Sequence, residues 1–199
     1  MKIFIMRGYH LAGLSVAAKL VYTIFLIFVL LGIWSSIEIY ETRLGGHDEG
    51  AEQVTMAARY GRPVAPPRQA DGGPELDLPP ADGGAEVAVA DLDQLTNARW
   101  GWIMDVFHQH LFSICVVWLV LAHLFMLTRL HPALTGGVVI ASGVLTLLHV
   151  LAPLVMFQTG AMFWLMPVSG AGMGATWLLM TLWTGLAMWF GFGRPTEPI

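Results

Sequence analysis

The sequence predicts an all-α membrane protein with four transmembrane helices in an up-down bundle and a long polar loop between the first two. Three observations predict it. Of 199 residues, 56% are hydrophobic and only 12% charged, against about 25% charged in soluble domains. The apolar residues are gathered into four runs that reach, or come close to, the roughly 20 residues needed to cross the hydrocarbon core. Backbone groups in hydrocarbon must be satisfied within their own segment, so each run reads as a helix.

The first run, residues 17–39, is too long for a signal-peptide core and is followed by no small-x-small cleavage site. It reads as an uncleaved anchor. Lys19, near its start, can snorkel to the interface. Residues 40–101 form the polar loop. Within it, 51–60 is expected to form a short surface helix, and 63–84, rich in Pro, Gly, Ala and Asp, to be irregular or an extended wrap. The second run, 103–127, is bracketed by Trp100 and Trp102 at one end and Arg129 at the other, as interface anchors. The third is 134–157, where Pro153 removes the helix bond to the His149 carbonyl. Pro167 and several small residues make 164–174 a re-entrant or surface loop before the fourth run, 175–192. Gly136, Gly137, Ser142, Gly143 and Gly185 are expected to permit close helix approach. The whole chain is one membrane domain.

Charge orients the bundle. Thirteen of the fourteen acidic residues lie between Glu38 and Asp105. Lys2, Arg7, Lys19, Arg129 and Arg194 lie at the termini and the 128–133 turn, close to the spans. Arg43, Arg59, Arg62, Arg68 and Arg99 are spread through the loop. That density places both termini in the cytoplasm and the loop in the periplasm of a bacterial inner membrane.

Composition also excludes. The single cysteine, Cys115, forbids an internal disulfide framework, and no Cys-x-x-Cys-His is present, so covalent c-type haem is not expected. Cys115, among bulky apolar neighbours, reads as an inert core thiol. The methionines show no tight repeat and read as gap-filling. No basic stripe suggests nucleic acid.

The candidate site lies in the histidines. Ionisable groups inside a span are costly and usually face the bundle interior. Neutral imidazole is a common ligand of haem iron and other metals. At about 1.5 Å per residue, His110 lies about 10 Å below the loop-side start of the second span, and His149 about 12 Å below the loop-side end of the third. They match in depth on antiparallel neighbours. His123 lies about 6 Å from the opposite end, where His10 and His131 are available partners. At about 100° per residue, His108 and His123 diverge by about 60° and His108 and His110 by about 160°. The upper ligand opposite His149 is therefore His108 or His110. Asp105, three residues before His108, is placed to accept an imidazole N–H as an outer partner, or to favour the water boundary near a helix N-terminus. His131 belongs to the turn, and His47 gets no role.

The stretch DVFHQHLF at 105–112, opening an apolar helix that continues to His123, resembles small four-helix bacterial membrane proteins with a His-x-His entry to the second helix. The anchor at 12–40 followed by a polar loop has the same look. More loosely, the chain is similar to b-type cytochrome membrane subunits, in which histidines on a four-helix bundle hold haem at two levels. That resemblance implies haem b bound between helices. It departs in having only His149 on the third span and no histidine on the fourth, which favours one haem over two.

The expectation is an electron-transfer subunit, exchanging electrons between quinone and a periplasmic redox protein within a membrane complex. Its ligands would be His149 with His108 or His110, and a second haem would fall near His123 and His10. Two alternatives stand beside it. One is an accessory or assembly subunit whose histidines only bond between helices. The other is a porphyrin-free metal site built from His108, His110, His149 and Asp105.

Overall fold

The computed structural model describes residues 10–43, 56–63 and 84–192, and among them every regular element is helical. A 3-10 turn at Leu11–Gly13 precedes α1 (Val16–Arg43), α2 (Gly84–Met126), α3 (Pro132–Thr159) and α4 (Leu165–Phe190). A single helical turn at 56–60 stands between α1 and α2. All four long helices are long and apolar enough to cross a membrane. Residues 44–55 and 64–83, with most of the expected irregular loop, lie outside the described residues, as does His47.

The helices pack antiparallel, α2 on α3, α3 on α4 and α1 on α4. Trp100 meets Phe157 at 5.1 Å across α2 and α3, and further along Trp118 Nε1–H donates to Ser142 Oγ at 3.0 Å. Across α3 and α4, Trp177 Nε1–H donates to Thr146 Oγ1 at 3.2 Å. Across α1 and α4, Trp189 Nε1–H donates to Thr23 Oγ1 at 3.0 Å, with the Lys19 ammonium 5.6 Å from the Trp189 ring. Helix α4 is therefore central, with α2 and α3 on one flank and α1 and the Leu11–Gly13 turn also packed on it. Lipid tails are as apolar as the core, so close van der Waals packing and these indole bonds, rather than water exclusion, hold such helices together.

Three expectations need correction. Helix α4 starts at Leu165 rather than at 175, so the 164–174 loop does not form. Pro167 sits in the first helical turn, where the missing N–H would have had no partner. The small residues after it are contact positions: a Cβ on Gly172 would lie 2.8 Å from Leu145 Cδ2. Helix α2 starts at Gly84, well before 103; the Ala-, Leu- and Glu-containing approach to Trp100 favours helix. Cys115 is exposed on the outer face of α2 rather than buried in the core.

The small-residue expectation divides. Gly143 lies against Trp118 and Gly185 against Leu26, whereas Gly136 and Gly137 face open space. Helix α3 runs unbroken through Pro153 to Gly160, whose φ of 62° suits a residue without a side chain and whose N–H closes on the Met156 carbonyl.

Candidate functional site

His149 is half-buried, and it faces α4. Its Nδ1 lies 3.4 Å from Ser169 Oγ, and the Ser169 hydroxyl donates to the Met166 carbonyl at 3.2 Å. The bond is long, but Gly170 reinforces the ring position. A Cβ at Gly170 would come within 3.1 Å of His149 Cε1 and 3.2 Å of Nδ1. The ring is seated in a notch that only glycine leaves open.

His110, on α2, is exposed, and its Nδ1 lies 2.8 Å from the Val106 carbonyl. A carbonyl can only accept, so Nδ1 carries the proton and Nε2 keeps its lone pair. His123 has the same arrangement, with Nδ1 3.0 Å from the Leu119 carbonyl, also on an exposed face. His108 is exposed and packs its ring edge-on to Phe112 at 5.0 Å. Asp105 is exposed too, and no hydrogen bond joins it to His108.

His10 is built differently. Its Nδ1 accepts the backbone N–H of Ala12 at 2.9 Å and caps the Leu11–Gly13 turn. In the neutral ring Nε2 then carries the proton, which leaves no lone pair for a metal. His131 is the exposed N-cap residue of α3, with no side-chain cap bond. Asp105, His108 and His110 thus all occupy exposed positions of α2, while His149 lies against α4. Among the described residues no three His, Cys, Asp or Glu side chains gather as a metal site.

Sequence reasoning missed Ser169 and Gly170 because it read their segment as a loop. The signal available was the cluster of small residues at 169, 170, 172 and 174, the kind that lets membrane helices approach.

Above this region, toward the loop side, a piece of the polar loop is docked on the bundle. Residues 56–60 are expected on the surface, yet Met56 is fully buried and Tyr60 nearly so, packed with Ala152 and Met156 of α3. Gly61 closes the turn on the Ala57 carbonyl, which an added Cβ would strike. Arg99 of α2 ties the segment down by donating to the Gly61 carbonyl at 2.8 Å. Trp102 packs against Tyr60 at 5.8 Å, and Arg62 lies 5.7 Å from the Phe157 ring. The interface tryptophans thus clamp the loop as well as mark the interface.

Burial pushes the Tyr60 phenol above its ordinary value of 10.0, with neighbouring Arg59 pulling it back. A raised value means the docked form prefers the neutral phenol, so its contribution is complete below pH 10 and fades as pH rises through the raised value. Ultraviolet titration should show a late-ionising tyrosine component that is absent in Tyr60→Phe. An all-normal titration in the parent protein would contradict the docking.

No curated protein and no solved structure matches the chain. A family model for a transmembrane helical domain matches residues 97–196, which run from within α2 through α3 and α4 and past its end. The match takes in His108, His110, His149 and Ser169 and leaves out α1 and the docked segment. Covering half of the sequence, it shows that the chain belongs to the Aq_1264_TM family of transmembrane helical domains.

Proposed function

We propose that this protein is an integral electron-transfer subunit that holds one b-type haem, with His149 and His110 as the residues that would ligate its iron. The observation that carries the reading is that both rings are held through Nδ1, His149 against Ser169 Oγ and His110 against the Val106 carbonyl, so that Nε2 would be the ligating atom of each. A ligating histidine is normally anchored through its other nitrogen, which fixes its orientation and raises its basicity. That anchoring is what supports the two rings as ligands. Haem, when bound, supplies one-electron chemistry, while the surrounding apolar helices tune its potential.

His110 stands on an exposed flank, so one edge of the site opens to the bilayer or to another subunit. That supports a place inside a larger membrane complex, between quinone and a periplasmic redox protein. The charge distribution supports termini in the cytoplasm and the docked loop in the periplasm, at a bacterial inner membrane. One haem is favoured over two, because His10 has no free lone pair to offer His123 as a partner. A porphyrin-free metal site is disfavoured, since no third ligand gathers among the described residues.

The second reading is an accessory subunit with structural histidines. It is favoured by the exposure of His108, His110 and His123 and by the purely local bonds of the last two. Purified protein distinguishes them. Reduced-minus-oxidised spectra and a pyridine haemochrome assay should give a b-type α-band that is lost or shifted in His110→Ala. A colourless, fully folded preparation from haem-replete cells would leave only the accessory reading.

A further inference from the structure

The docked segment creates a groove that neither the histidine region nor the helix packing uses. It is open, with a volume of about 480 Å³, and is lined by Ala58 and Arg59 of the segment and by Leu95, Arg99 and Trp102 of α2. The three α2 positions follow spacings of four and three and so share one face of the helix. They lie in the loop-side part of the α2 candidate span, Leu92–Met126.

Arg59 lies with its guanidinium carbon 5.3 Å from the Trp102 ring and 5.9 Å from the Tyr60 ring. Its Nε is buried and has no hydrogen-bond partner among the described residues. Arg99 spends one Nη1 bond on the Gly61 carbonyl, which leaves most of its five donors unused among the described residues. Among the described residues no carboxylate pairs with either arginine. Two arginines lining one groove, one of them over an indole and with a buried donor unfilled, have the chemistry of an oxyanion receptor. Arginine suits phosphate because its fork of donors matches two oxygens at once.

We infer that this groove binds the phosphodiester headgroup of a membrane phospholipid, with Arg59 and Arg99 on the phosphate and the acyl chains continuing into the bilayer beside α2. Its position decides the source. A phosphate held at the interfacial tryptophan level, beside a hydrophobic span, lies where lipid headgroups lie. Leu95 and Ala58 give the groove walls an apolar part that an inorganic ion would not need. The bound headgroup would in turn fasten segment 56–62 to α2, because both supply an arginine to it.

The full-length protein in detergent, stripped of lipid, provides the test. Native mass spectrometry would be recorded with phosphatidylglycerol, with diacylglycerol of the same chains, and with inorganic phosphate. Phosphatidylglycerol should stay bound while diacylglycerol does not. Arg59→Gln should weaken retention by about tenfold, the worth of one charge-assisted bond. It leaves the Arg99–Gly61 tie intact, so the segment stays docked; Arg99→Gln should weaken both retention and docking. Equal retention by parent and Arg59→Gln would overturn the proposal. So would tight binding of inorganic phosphate that phosphatidylglycerol fails to displace, or equal binding of diacylglycerol.

Discussion

Replacing His149 with alanine is expected to remove the b-type spectrum entirely, while Ser169→Ala should weaken haem retention by about 10–100-fold without abolishing it. The two results would differ because, on the proposed reading, His149 is a ligand and Ser169 acts only through it. His149 would supply the Nε2 lone pair itself, and α4 holds no histidine to replace it. Ser169 touches only Nδ1 and orients the ring. Gly170→Ala provides a third point in the series. Its methyl would press on His149 Cε1 at 3.1 Å, shifting the ring without removing either polar partner. A displaced α-band with haem still bound is the expected outcome. Haem content in detergent, read by pyridine haemochrome alongside circular dichroism, checks all three. Unchanged spectra in His149→Ala would remove the histidine pair from the function.

The largest structural effect is expected from Gly143→Val. A Cβ at Gly143 would lie 2.9 Å from Trp118 Cζ2. The indole cannot simply rotate away, because Nε1–H is held by Ser142 Oγ, which in turn donates to the Val139 carbonyl. Helices α2 and α3 would have to separate. Overpacking of this kind costs about 1–3 kcal/mol, and the Trp118 bond would be lost with it. Gly136→Val is the matched control: about two turns earlier on α3, it faces open space and should leave stability nearly unchanged. Reversible unfolding in mixed micelles would measure both. Equal effects at the two positions would mean that α2 and α3 do not meet at Trp118.

The docked segment shows why a polar loop can belong to a membrane fold. Met56 and Tyr60 fill the loop-side end of the bundle beside Ala152 and Met156, and Arg99 from α2 holds the segment at Gly61. The docked pieces lie a turn of α3 above His149.

The sequence by itself determined the fold class, because hydrocarbon admits no unsatisfied backbone and four apolar runs of sufficient length leave helix as the answer. Tertiary structure alone decided the rest. Whether 164–174 is loop or helix turned on Gly172 and Ser169 meeting α3, and small residues serve both ends equally well in a sequence. Cys115 and Gly136 look like interior positions along the chain and prove to face outward. A span that is apolar all round has no strong periodicity to tell lipid from protein. His10 read as a ligand until its Nδ1 was found spent on the Ala12 N–H. The direction in which a histidine presents its lone pair depends on which neighbour takes the other proton, and that neighbour is chosen by packing.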